Sequence, residues 1–105
     1  REGEGAWASR AGRLRAWLKS GEAEEAADGR PLVCVLHSTL MDLLIKSLLD
    51  LPVTLPNEGG PFFFTDNVSI TTLFLPAEWC RGGKGPGPTL QALNATPHIP
   101  DDGIA

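Results

Sequence analysis

Several whole classes of protein are excluded by what this chain has little of. It carries two cysteines, Cys34 and Cys80, too few for a disulfide-rich scaffold. A reduced, cytoplasmic setting is therefore the expectation, and Cys34, set in an apolar run, reads as a buried thiol. Basic charge is not in excess: 9 Lys and Arg against 13 Asp and Glu leave a net charge of -4. Nothing here suits a nucleic-acid surface, and Arg10, Arg13 and Arg15 fall together on one short helix pattern. No apolar run reaches the ~20 residues of a membrane span; the richest, from Leu40 to Leu49, is broken by Asp42, Lys46 and Ser47. The opening "REGEGAWASR" is polar and has no signal-peptide pattern. What remains, at 105 residues, 42% hydrophobic and 21% charged, is the ordinary composition of one small globular domain.

The periodicities then order the chain. From Ala6 to about Ser20 the residues Trp7, Ala11, Leu14, Trp17 and Leu18 recur at helical spacing, which predicts an amphipathic helix with one buried face. Asp28-Gly29 is a turn signal. The run Leu32–Leu36, "LVCVL", is short, apolar throughout and rich in valine, the pattern of a strand buried on both faces in a parallel sheet. From Leu40 to Asp50 a second helix is expected, with Thr39 as N-cap and Asp42 completing a capping-box arrangement. Asp42, Lys46 and Asp50 are four apart and form one narrow polar stripe on a helix otherwise apolar, hence mostly buried. Pro52 stops it. Ser69–Leu75 reads as a strand, "AEWCRGGKGPGP" as a loop, and "TLQALN" as a last strand antiparallel to the one before; the tail from Ala95 is expected to be irregular. Helix, strand, helix, strand, strand is an α/β order. Three strands make a thin sheet for so apolar a helix, so a covering surface is expected from outside these residues.

His37 stands between the apolar strand pattern and the helix. In open α/β sheets that edge binds ligands, and a helix start suits an anion such as phosphate. A packed histidine bonded to backbone is the alternative reading of the same position. A zinc set from Cys34, His37, Cys80 and His98 has spacings C-x2-H and C-x17-H, which do not match paired-ligand patterns. On an extended strand Cys34 and His37 also point to opposite faces, which opposes a Cys-His nucleophile pair. Lys84 lies among glycines, but Gly85-Pro86 follow it where a phosphate-binding loop needs Ser or Thr and a helix. The triplets at Asn67 and Asn94 match the glycosylation sequon and read as chance matches. Phe62–Phe64 reads as packing, and Glu22, Glu24 and Glu25 as a solvated helix end.

Motifs that are modest singly become specific in order. "GEG" before a helix containing "RLRAWL", then "LVCVLHSTLMDLLIKSLLDLP", then "TDNVSITTLFL", then "LQALNATPHIP" together resemble the histidine phosphatase superfamily, the phosphoglycerate mutases and related phosphatases. The resemblance covers Gly3 to about Pro100. It implies a three-layer α/β/α phosphoglycerate mutase-like fold, of which residues 1–105 would be the C-terminal part of a single domain. It also implies that His37 is the second active-site histidine, in contact with the transferred phosphoryl group. The family's nucleophile lies in an Arg-His-Gly motif near the N-terminus and its general acid lies upstream of the "GES" segment; neither is on this chain. Glu4 matches the "GES" Glu, and His98 belongs to the tail motif.

The expected chemistry is phosphoryl transfer on small phosphomonoesters through a phosphohistidine, with His37 catalytic and Ser38 and Thr39 binding phosphate. No metal or other cofactor, no nucleic acid and no membrane is implied. Two departures stand out. Ser38-Thr39 replaces the family's Gly-Gly or Gly-Asn, and Gly5 replaces the Ser of "GES", which removes a helix-capping hydroxyl. They leave a second expectation, a non-catalytic phosphoester-binding or interaction member of the same fold. The chain alone is expected to lack turnover and, with an apolar helix and a partnerless strand, to self-associate.

Overall fold

The computed structural model describes residues 2–97. They form a mixed α/β structure in which two helices pack on each other and a two-stranded antiparallel sheet stands beside them. The first helix, α1, spans Glu2–Leu18, and a short α2 spans Glu22–Ala27. Gly21 joins them at φ 90, a left-handed conformation that glycine adopts without penalty. Three acidic residues in the first turn of α2 favour its N-terminus. Asp28 and Gly29, both at positive φ, end it, as the turn signal predicts.

The helix α3 runs Ser38–Leu48, two residues earlier than its sequence pattern at each end. His37, not Thr39, is the N-cap, with extended backbone and no side-chain cap bond. The expected capping box does not form because Asp42 turns inward. Its C-terminus closes in a Schellman motif: Leu51 N–H donates to the Lys46 carbonyl at 2.8 Å and Asp50 N–H to that of Ser47 at 3.3 Å. Asp50 takes the left-handed position at φ 57, and Pro52 follows beyond it. Arg15 of α1 ties the two helices together. Its guanidinium donates to the Ser47 carbonyl and pairs with Asp50 at 3.1 Å.

The sheet pairs β1, Ile70–Phe74, with β2, Thr89–Ala95, around an intervening single-turn helix α4, Ala77–Cys80. The antiparallel pairing agrees with the sequence pattern; α4 does not, since that stretch reads as loop. Register slips occur on both sides of Thr72. Asn94, at φ 56, sits at this irregularity. Its N–H donates to Thr71 Oγ1 at 3.2 Å, its Oδ1 accepts from Asp66 N–H at 2.6 Å, and its Nδ2 donates to Asp66 Oδ2 at 3.0 Å.

The core lies between α1 and α3 and extends to α4. One part gathers Leu18, Leu44, Leu48, Trp79 and Cys80; the other gathers Ala11, Leu40 and Leu43. Leu14 and Leu36 pack on both. Two expectations are corrected here. The run Leu32–Leu36 is extended but joins no strand in the described residues, and Cys34 is exposed, not buried. Among the described residues β1 and β2 pair only with each other, and the run joins neither outer edge of that sheet. The polar stripe of α3 is corrected too, since Asp42 and Lys46 are wholly buried. Among the described residues no helix is long and apolar enough to cross a membrane.

Candidate functional site

The chain changes from extended to helical at His37, whose ψ is 156, and its carbonyl accepts the first helical bond from Met41 N–H at 2.9 Å. The amides of Ser38, Thr39 and Leu40 precede any intrahelical partner and stand at the positive end of α3. His37 and Ser38 are exposed and Thr39 is half-buried. The three residues expected to form the site are therefore consecutive, at one helix start, with the imidazole open to solvent. Among the described residues none of their side chains makes a hydrogen bond. Such a cluster can donate hydrogen bonds to an anion from backbone and side chain at once.

No protein-family model, curated protein or solved structure matches the chain.

A groove of about 490 Å³ lies nearby, between residues 31–36, the Met41, Leu44, Ile45 and Leu48 side of α3, and Thr71, Leu73 and Leu75. His37, Ser38 and Thr39 do not line it. Its walls are mostly apolar, Glu24, Arg30 and Thr71 apart, so it has the character of an uncovered interior and not of a phosphate cradle.

The other candidates separate. His98 lies outside the described residues. Among the described residues no group of three or more His, Cys, Asp or Glu is placed to hold a metal. Cys34 is exposed on the groove, whereas Cys80 is buried in α4. Burial raises the Cys80 thiol above the ordinary range, with Glu24 adding to the effect and Arg81 opposing it. Lys84 is exposed and leads into β2 and not into a helix, which removes the phosphate-loop reading. Asn94 has its amide committed to Asp66, whereas Asn67 is exposed on a turn. Phe62 and Phe64 stack edge-to-face with centroids 6.4 Å apart on the surface.

One polar constellation was not foreseen from the sequence. Lys46 Nζ lies 2.9 Å from Asp42 Oδ2 and donates to the Thr54 carbonyl at 2.7 Å. Asp42 Oδ1 accepts from Phe63 N–H at 2.9 Å. The pair thus clamps the loop after α3 onto the helix at two points. The signal was available: an i,i+4 Asp-Lys pair on a helix otherwise apolar all round has no solvated face to occupy.

Proposed function

We propose that the chain is the C-terminal part of a histidine-phosphatase-type α/β/α domain that transfers phosphoryl groups from small phosphomonoesters, with His37 as a catalytic residue. The observation that carries this reading is the exposed imidazole of His37 at the N-cap of α3, beside free helix amides. The ordered motifs from "GEG" to "LQALN" give it its chemical class.

In this mechanism a histidine from outside these residues attacks phosphorus with a ring nitrogen. The P–O bond to the ester oxygen breaks, and that oxygen leaves with a proton from a general acid. Water then attacks the phosphohistidine in a phosphatase, or a second hydroxyl of the substrate does so in a mutase; its proton goes to the conjugate base of the general acid, the P–N bond breaks and the free histidine is restored. His37 donates a hydrogen bond to a non-bridging oxygen, and the Ser38 and Thr39 amides and hydroxyls hold the others. These donors are pre-oriented by the first turn of α3, so little reorganisation is needed as charge moves onto the oxygens.

The test uses a form of the protein that contains the nucleophile, assayed for phosphate release from an aryl phosphate. His37→Ala is expected to slow the reaction by about 10²-fold or more, as removal of a transition-state donor does. The circular dichroism should not change, because the imidazole is exposed. His98→Ala is expected to be much milder. Equal rates for wild type and folded His37→Ala would refute the assignment. Tight binding of a phosphoester without turnover would favour the non-catalytic reading, to which the Ser38-Thr39 departure points.

A further inference from the structure

The helix α3 begins where its own residues do not ask it to. Its N-cap is His37, whose side chain makes no capping bond. Ser38 and Thr39, both of types preferred at N-caps, follow directly. A start at Thr39 would bring two bonds that the observed start lacks. The Thr39 hydroxyl would accept from Asp42 N–H, and the Asp42 carboxylate would accept from Thr39 N–H, the reciprocal pair of a T-x-x-D capping box. In the structure that carboxylate is engaged elsewhere. Asp42 is wholly buried; its Oδ2 lies 2.9 Å from Lys46 Nζ and its Oδ1 accepts from Phe63 N–H at 2.9 Å. Lys46, wholly buried as well, also donates to the Thr54 carbonyl at 2.7 Å.

We propose that Lys46 is a positioning residue for the candidate phosphate site: by holding the Asp42 carboxylate inside the fold, it keeps the start of α3 at His37. The carboxylate can cap Thr39 only by leaving Lys46 and Phe63, and a buried ammonium without its counter-ion is costly. The pair therefore outweighs the smaller worth of one helix cap. The two starts differ in what they show an anion. From His37, the amides of Ser38, Thr39 and Leu40 are free and the imidazole stands beside them. From Thr39, Ser38 leaves the helix and the Thr39 amide is taken. A carboxylate then occupies the positive end of the helix dipole, where it opposes a second anion. Lys46 acts through Asp42 and touches no substrate. Its role at the phosphate site rests on the reading of His37 given above; the choice of helix start does not.

Two readouts on the full chain keep these apart. The Cα chemical shifts of residues 37–42 report the helix start, and titration with inorganic phosphate reports the anion. Lys46→Met should abolish the helical shifts of Ser38 and Thr39 while those from Met41 to Leu48 remain. Phosphate affinity should fall roughly tenfold, the worth of two lost amide donors. Lys46→Gln keeps a donor without the charge, so it should make the same change in smaller measure; it is read where the methionine variant does not fold. Adding Thr39→Ala to either variant removes the hydroxyl that the other start needs, so the helical shift of Ser38 should return. Helical Ser38 and Thr39 in both folded Lys46 variants would overturn the proposal. So would a failure of Thr39→Ala to bring Ser38 back, or a moved start with phosphate affinity unchanged. A moved start in a protein whose wild type binds no phosphate would support the hold of Lys46 on α3 and count against the anion reading of His37.

Discussion

Two neighbouring stretches, residues 31–36 and α3, are both rich in apolar residues and meet opposite fates. The helix is buried so completely that an aspartate and a lysine go in with it. The extended stretch leaves two valines almost wholly in solvent. The difference lies in how the backbone is satisfied. A helix makes its own hydrogen bonds and can be buried against any apolar surface. An extended segment needs neighbouring strands at its edges, and among the described residues none pairs with this one. The charges of α3 obey the same rule: each buried polar atom of Asp42 and Lys46 has a partner, so burial is tolerated.

The comparison breaks most sharply at the ion pair. Lys46→Met leaves the Asp42 carboxylate buried without its cation and the Thr54 carbonyl without its donor. Loss of one partner in such a pair costs about 3–5 kcal/mol, and urea unfolding should show it. A loss below about 1 kcal/mol would mean that water reaches Asp42.

Next in size is a matched pair of truncations. Leu43 is completely buried, and Leu43→Ala should cost about 2–5 kcal/mol. Val35→Ala, measured in dilute protein, should stay within about 0.5 kcal/mol. Similar values at the two positions would show that the extended stretch is packed after all.

The smallest effect concerns Cys80, whose thiol burial pushes upward. The unfolded chain ionises this thiol more readily than the folded one. Its contribution to stability is therefore complete below about pH 8.5 and is lost as pH rises through the folded-state pKa. Urea midpoints compared between about pH 7 and pH 10 should fall more for wild type than for Cys80→Ala.

The elements whose form depends on local pattern were readable from sequence. The 3.6 period set α1 and α3, and two short strand patterns on either side of a Gly- and Pro-rich loop set the β1–β2 pairing. His37, Ser38 and Thr39 stand at the start of α3, which begins two residues earlier than its pattern, with no strand leading into them among the described residues. What the residues alone could not convey was partnership. "LVCVL" has the composition of a central strand, yet a central strand exists only if others flank it. Asp42 and Lys46 read as one narrow polar stripe; the apolar surround signals their burial, but nothing local announces that Thr54 and Phe63 come back over them. The N-cap moved to His37 because Asp42, the other half of the expected capping box, was drawn to Lys46.

Trp79 has an optical consequence. Its indole is 5% exposed, with the Arg15 guanidinium 5.7 Å and the Lys19 ammonium 5.4 Å from the ring centroid. Trp17 is 36% exposed, and Trp7 carries Arg10 at 5.2 Å. The fluorescence of the folded chain is thus a mixture, with a blue-edge component from Trp79, a red-edge component from Trp17, and Trp7, half-buried against the core, between them. Iodide should quench the red component first. Because Trp79 lies against Arg15 of α1 and Lys19 just beyond it and sits in the core with Leu44 and Leu48, the blue component reports on the docking of α1, α3 and α4. A single-tryptophan variant retaining Trp79 would turn that docking into a signal that can be followed in stopped flow.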